Sequence, residues 1–387
     1  MKFIKKTIIA AAAALISLSA AAPSYHEAFA AVDLTPGYVT STAAPAAFAN
    51  DKEAADYLRE CMVKRMESVT ISVPNTNPNS YYDIYELAQQ HTGAGNEGDY
   101  IFWQRNGTKY GSSVSGGTVT IIYKFEYTST AEQEDAVTKK LQQIYSDLNL
   151  VSLNNYQKIE ALYNYVTTHV VYADYPEDID YTPYGALFNG RAVCQGVSIL
   201  MYRMLLDNGI DARLIAGRGN SANHGWNIVQ LDGLYYNIDA TWDIGGYRTF
   251  FLKGSQDFDL GSYTHTRNIF NSDGSVFGID FTSDEFNKAY PMSLYAYDPD
   301  SAQLPLGDIN CDGKINPADA TAILNAYTRK ASGGSLNLTD AQVNAGDIDR
   351  NGILNPVDAT DVLAYYTYAA STSAPLSISE YFSITDY

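Results

Sequence analysis

Residues 184–205, YGALFNGRAVCQGVSILMYRML, and residues 223–243, NHGWNIVQLDGLYYNIDATWD, decide how this chain is read. The first places Val197, Leu200, Met201, Met204 and Leu205 on one stripe, so a helix opens at Val193 and buries that face. Gly209 supplies the left-handed stop expected past its C-terminal end. Cys194 then falls in the first turn of a buried helix. Runs of strand character follow at 212–217, 225–231 and 234–239. Asp232-Gly233 between the last two is the dipeptide of a two-residue hairpin turn. That turn sets Asp239 opposite Trp226 and diagonal to His224 on the same face, whereas a one-residue bulge would send the acid to the other side.

Chemistry follows from the placement. A thiol attacks as thiolate, and a helix N-terminus stabilises that anion through unpaired N–H groups and the helix dipole. A base must lie within hydrogen-bond reach of it, and a third group must hold the base in one tautomer. His224 and Asp239 are the candidates. Taken singly, each residue has a plainer reading: Cys194 as core packing, His224 as a satisfied polar residue, Asp239 beside Thr241 and Asp243 as a turn former. The three together outweigh those readings. Trp226 and Trp242 could line a cleft, but general aromatic burial favours packing for both. Cys61 reads as structural.

The stretches YGALFNGRAVCQG, NHGWNIVQLDGLYYNIDATWD and YRTFFLKG, between 184 and 254, closely resemble the transglutaminase-like family. The resemblance implies an α+β, papain-like core of helix against antiparallel sheet. It implies Cys194 as nucleophile, His224 as general base and acid, and Asp239 as the orienting carboxylate. Acyl transfer through a thioester is the implied chemistry, with no cofactor for catalysis and a protein or peptide substrate. The acyl acceptor, water in a cysteine peptidase or amidase and an amine in a transglutaminase, stays open. An oxyanion hole would draw on the Cys194 N–H, with Tyr184 as a candidate side-chain donor.

Two segments repeat near the C-terminus: DINCDGKINPAD from Asp308 and DIDRNGILNPVD from Asp347. Twelve-residue calcium loops place oxygen ligands at positions 1, 3, 5, 7, 9 and 12, with Gly at 6 for the sharp turn. The first loop offers Asp308, Asn310, Asp312, the Lys314 carbonyl, Asn316 and Asp319 around Gly313. The second offers Asp347, Asp349, Asn351, the Ile353 carbonyl, Asn355 and Asp358 around Gly352. Each runs into a helix, marked by Ile323, Leu324 and Tyr327 and by Val362, Leu363 and Tyr366. Two Ca²⁺ are expected, and folding that depends on them. Position 12 is Asp rather than Glu and no helix of the EF-hand kind is expected to enter the loop, which sets the pair apart from signalling EF-hands. Cys311 at position 4 points away from the metal and reads as an exposed free thiol.

The duplicated loop-helix pattern resembles a type I dockerin, a small all-α calcium-binding module that binds cohesin domains of cellulosome scaffoldins. The resemblance implies partner contacts at loop positions 10 and 11, here Pro317 and Ala318, and Pro356 and Val357. Its usual company is polysaccharide catabolism, but no carboxylate pair is assigned to glycoside chemistry here.

The remaining features bound the whole. With 387 residues and 46% hydrophobic content, the chain can bury two or three cores. Lys2, Lys5 and Lys6 precede an uncharged run over 7–22, the pattern of an export signal cleaved near Ala21 or after Ala30. The mature chain should carry no membrane span. A net charge of −19, with 44 acids against 25 bases, argues against nucleic acid. Three cysteines leave at least one free thiol. The expected order is a signal peptide at 1–30, an α/β region of unknown role at 31–150 and a transglutaminase-like domain at 151–295. A linker at 296–306, the dockerin at 307–370 and a tail at 371–387 complete it. Within these, helices are expected at 51–66, 131–148 and 153–170, strands at 68–73, 100–104 and 118–127, and a turn at Asn106-Gly107. Together these features describe a secreted cysteine acyl-transfer enzyme held on an extracellular or cell-surface scaffold. The alternative is a catalytically silent transglutaminase-like binding module displayed by the same dockerin.

Overall fold

The computed structural model describes residues 34–36, 45–220, 222–271, 274–299, 304–336 and 338–384. The expected export signal at 1–30 lies outside them, and none of their helices is long and apolar enough to cross a membrane. Helices and sheets are mixed along the chain, giving an α+β molecule.

The N-terminal elements are β1 (Leu34–Pro36), β2 (Ala46–Ala47), α1 (Asp51–Val63), β3 (Ser68–Pro74), α2 (Ser80–Ala88), α3 (Asp99–Phe102), β4 (Arg105–Ser115) and β5 (Thr118–Tyr127). Their strands form a five-stranded mixed sheet in the order β1-β4-β5-β3-β2. Asn50 caps α1 by accepting from the Glu53 N–H at 2.9 Å, and Leu58 and Met62 pack onto Ile71, Ile121 and Tyr123 of the sheet.

Two expectations fail here. Residues 99–102 are helical, although Tyr100, Ile101 and Phe102 favour a strand by composition. The buried Arg213 guanidinium grips the Asp99 carboxylate with two 2.8 Å bonds, and that carboxylate also accepts from the Leu214 N–H. This tertiary anchor at the start of the turn outweighs the local preference. Asn106-Gly107 is no turn: it sits in β4, where the register shifts between Arg105 and Gly107 as in a bulge. The chain reverses instead at Gly116-Gly117, both at positive φ.

Next come α4 (Ala131–Asp147) and α5 (Asn155–His169), each opened by a capping box, Thr130 with Gln133 and Asn154 with Gln157. Short strands β6 (Val171–Tyr172) and β7 (Arg191–Ala192) pair in parallel and lead into α6 (Cys194–Leu206). Every residue of α6 is buried. Its Leu200, Met204 and Leu205 pack with Val137 and Leu141 of α4 and with Ile159 and Leu162 of α5, so one core runs across residue 150. Ile199 and Tyr202 join a second cluster with Leu214, Ile228 and Phe250.

Strands β8 (Ala212–Gly219), β9 (Ala222–Leu231), β10 (Leu234–Ile238) and β11 (His265–Arg267) form an antiparallel sheet ordered β10-β9-β8-β11. Leu231 pairs with Leu234 and Asn227 with Ile238, the register expected from an Asp232-Gly233 turn. Both turn residues have positive φ, 51° and 84°, as a type I′ turn requires.

After α7 (Asp284–Ala289), the calcium-loop region comprises α8 (Pro317–Ala331), α9 (Asp340–Gly346), α10 (Pro356–Ser371) and α11 (Ile378–Ile384). Ile323 of α8 and Val362 of α10 meet Ile309 and Ile348 in its core. The short α9 runs up to the second loop. The expected tail at 371–387 adds to this core: Ile378 is buried in it, and Tyr381 stacks on Tyr368. The start of the expected linker is also engaged, with the Tyr297 hydroxyl donating to Asp232 at 2.9 Å.

Because Leu200 is fully buried where α4, α5 and α6 meet, Leu200→Ala should cost about 2–5 kcal/mol. Urea unfolding of the purified variant against the parent measures it.

Candidate functional site

Helix α6 begins where its preceding loop is pinned. Arg191 clasps the buried Asp180 carboxylate at 2.7 Å, and the Asp180 carbonyl accepts from the Val193 N–H at 3.0 Å. A Cβ on Gly196 would come within 2.6 Å of that same carbonyl, so the first turn can sit this close only with glycine there. Val193 caps the helix with extended backbone and no side-chain bond, leaving the first-turn N–H groups open beside Cys194. Ser198 donates to the Gly225 carbonyl at 2.8 Å, and Asn227 donates to the Ser198 carbonyl at 3.0 Å. These bonds set the height of α6 against β9, the strand that carries His224.

The structure brings Cys194, His224 and Asp239 together. His224 Nε2 bonds Asp239 Oδ2 at 2.7 Å, and the Cys194 side chain lies near enough to the imidazole to help raise its pKa. With Nε2 taken by the acid, Nδ1 is the ring nitrogen left for sulfur. All three are buried, Cys194 at 1% exposure, His224 at 6% and Asp239 at 0%. Asp239 lies one residue past β10, where the observed register carries it to the His224 face. Its other oxygen, Oδ1, accepts from the Thr241 and Trp242 N–H groups at 3.0 and 3.2 Å. Asp243, which sequence reading treated as a neighbour in a turn, accepts from the Tyr163 hydroxyl and the Thr249 and Phe250 N–H groups, tying down the segment after the acid.

Burial alone would lower the His224 pKa, but the charge and hydrogen bond of Asp239, with Cys194 adding to them, hold it well above its ordinary value. For Asp239, burial pushes upward and is outweighed by His224 and then by His265, leaving the carboxyl well below the usual range. His265 escaped the sequence reading. Its Nε2 lies 3.3 Å from Asp239 Oδ2, the oxygen that His224 uses. Its strand β11 pairs with β8 across a long loop, and the only sequence signal was a histidine within an otherwise unassigned segment.

Trp226 is core and donates to Asn237 Oδ1 at 3.2 Å, while the half-buried Trp242 stacks on the His224 ring at 4.8 Å. Tyr184 is half-buried and stacks on Phe188. Cys61 is buried in the N-terminal core, and Cys311 is exposed.

In the second calcium loop, oxygens of Asp347, Asp349 and Asp358 lie within 4.8 Å of one another. Asp347 Oδ1 is buried with no hydrogen-bond partner, an orphan that a bound cation would satisfy. Burial, with the neighbouring acids adding to it, pushes Asp347 up to about 6 and Asp358 to about 7. These residues fit a hard divalent ion. In the first loop, Asp308 accepts from the Asp312 and Gly313 N–H groups and Asp319 from those of Asn310 and Asn316, the curled backbone that such a loop needs. Gly313 and Gly352 both take positive φ at the turn. Pro317, Ala318, Pro356 and Val357 are all exposed, as are Leu324 and Tyr327 on α8 and Leu363 and Tyr366 on α10.

Comparison with known proteins agrees with this division. Residues 142–240 match the family model of the transglutaminase-like superfamily, and residues 306–366 match that of the dockerin type I domain. No curated protein matches the chain. Solved structures do so at low similarity, two of them as follows. One, "Crystal structure of a TGase", shares 15% identity over 48% of this chain and 53% of its own, with a TM-score of 0.26. The other, "The Crystal Structure of a Putative Cysteine Protease from Cytophaga hutchinsonii", shares 13% identity over 35% of this chain and 63% of its own, with a TM-score of 0.25. The chain thus spans less than two thirds of either. It carries a transglutaminase-like core domain followed by a C-terminal type I dockerin domain, a class of module that generally binds calcium.

The His224–Asp239 pair makes stability depend on pH in a defined window. The depressed Asp239 contributes above about pH 4 and loses its contribution as pH falls through its lower folded value. The raised His224 contributes fully below about pH 6.5 and loses it as pH rises through its higher folded value. The stability lost on Asp239→Asn should therefore be largest between about pH 4 and about pH 6.5, measured by urea unfolding across pH.

Proposed function

We propose that this chain is a cysteine acyl-transfer enzyme in which Cys194 is the nucleophile, His224 the base and acid, and Asp239 the group that holds the imidazole. The observation that carries the reading is a buried His224 bonded to the fully buried Asp239 carboxylate, with Cys194 beside the imidazole in the first turn of α6. Thiolate sulfur adds to an amide carbonyl carbon of a protein or peptide. His224 passes its proton to the departing amine as the carbon–nitrogen bond breaks, leaving a thioester on Cys194. Water or an amine then attacks the thioester, His224 takes the proton of that acceptor, and the sulfur leaves. Water gives a peptidase or amidase, an amine a transglutaminase-like cross-linker. The open N–H groups of the first turn of α6 would donate to the developing oxyanion.

Delivery belongs to the dockerin. Two Ca²⁺ would be held, one by Asp308, Asn310, Asp312, the Lys314 carbonyl, Asn316 and Asp319. The other would be held by Asp347, Asp349, Asn351, the Ile353 carbonyl, Asn355 and Asp358. When bound, the ions neutralise the clustered acids and fix the loops that precede α8 and α10. A cohesin domain of an extracellular scaffoldin is the proposed partner, contacting Pro317, Ala318, Pro356 and Val357, with export directed by the segment at 1–30.

A second reading has one observation in its favour: the Cys194 side chain is almost completely enclosed, as a silent binding module would allow. Iodoacetamide labelling separates the two. An enzyme should be carbamidomethylated at Cys194 well into mildly acidic pH, and lose that labelling in Cys194→Ala. Labelling that rises only as an ordinary thiol ionises would favour the silent module. Incubating parent and Cys194→Ala with protein substrates and a primary amine, then reading products by mass spectrometry, identifies the acceptor. For the dockerin, EGTA should lower the thermal midpoint of the chain and abolish cohesin binding, and added Ca²⁺ should restore both. Asp358→Ala should weaken calcium binding, read by isothermal titration.

A further inference from the structure

Asp239 Oδ2 accepts from two imidazoles, not one. His224 Nε2 lies 2.7 Å from it and His265 Nε2 lies 3.3 Å away. The far nitrogen of His265, Nδ1, lies 3.1 Å from Asp259 Oδ1, and the His265 backbone N–H donates to the same oxygen at 2.8 Å. His265 therefore bridges a fully buried carboxylate and a half-exposed one. Ionised carboxylates only accept, so the Nε2 that faces Asp239 carries the N–H of that contact.

The ring is held tightly. Phe258 stacks on it at 3.7 Å and 18°, the Trp242 ring lies 4.3 Å away on centroids, and its side chain is 2% exposed. Trp242 also stacks on His224, so one indole packs against both imidazoles. Across the β8–β11 pairing, residue 265 faces Gly219, where a Cβ would approach Trp242 to 2.6 Å and the His224 ring to 3.0 Å. The sheet thus leaves space at this point for two histidines and an indole together.

We propose that His265 is a positioning residue for the acyl-transfer site: by donating to Asp239 Oδ2 it fixes the carboxylate that aims His224 at Cys194. The inference rests on the proposed roles of Cys194, His224 and Asp239. His265 acts through Asp239 and touches no reacting atom. Asp239 then has four donors, the Thr241 and Trp242 N–H groups on Oδ1 and two imidazoles on Oδ2, and loss of one frees the carboxylate to turn. Asp259 supports the outer side of the bridge, and Asp239, Asp259 and His224 are the titratable groups facing the ring.

The test needs no known substrate. The rate of Cys194 carbamidomethylation by iodoacetamide is followed by peptide mass spectrometry across pH in the full chain with Ca²⁺ present. His265→Phe keeps an aromatic filler between Phe258 and Trp242 but removes both ring nitrogens. It should move the acid limb of the profile upward by about one pH unit, seen as about a tenfold slower reaction at a fixed mildly acidic pH. His265→Gln, which keeps a donor near the Nε2 position, should recover most of that loss. A folded His265→Phe with the parental profile overturns the inference while leaving the proposed function intact. A parental profile typical of an ordinary thiol overturns both. If His265→Phe fails to fold, Asp259→Asn carries the test from the exposed end: a smaller shift in the same direction supports the bridge, and an unmoved profile overturns it.

Discussion

The hydrogen bond between His224 and Asp239 is the constraint around which the central domain is arranged. It joins a buried imidazole and a buried carboxyl group away from water, where an unpaired charge is costly, so its stability depends on the geometry of their contact. The type I′ turn at Asp232-Gly233 provides that placement by setting the register of β9 and β10. The residues after β10 complete it: backbone N–H groups hold Asp239 Oδ1, and Asp243 with Tyr163 anchors the chain that follows. Helix α6 is positioned separately, by Ser198 and Asn227 against the sheet and by Asp180 at its start. The thiol and the imidazole thus meet because two independently anchored elements converge.

Electrostatics in the two halves of the molecule work in opposite ways. In the central domain every buried acid near the site has donors: Asp99 has Arg213, Asp180 has Arg191, and Asp239 has imidazoles and amides. In the second calcium loop the acids face one another, Asp347 leaves an oxygen unsatisfied, and burial raises their pKa values. The first pattern is complete within the protein. The second leaves an acceptor, Asp347 Oδ1, that a cation would satisfy. The two regions also touch, since Asn344, just before the second loop, bonds the Leu294 N–H and the Ser293 hydroxyl of the central domain.

Much of this was legible from residue order alone, and for local reasons. The apolar stripe of α6, the Asp-Gly turn and the twelve-residue spacing of the calcium loops each lie within a few residues of one another, where period and turn chemistry act directly. Counting residues from the turn was enough to put His224 and Asp239 on one face. The misreadings share a cause as well. Residues 99–102 took a helical turn because Arg213, far along the chain, grips Asp99. Asn106-Gly107 became a bulge because β4 pairs on through it, and the tail became part of a core through Ile378.

The sequence by itself singled out Cys194, His224 and Asp239, the register of the last two, the two loops and the α+β class, because each rests on spacing along one short segment. Only the tertiary structure decided that a second histidine shares Asp239. His265 reaches the acid through the β8–β11 pairing and a stack of aromatic rings, contacts between segments whose separation in sequence carries no periodic signal.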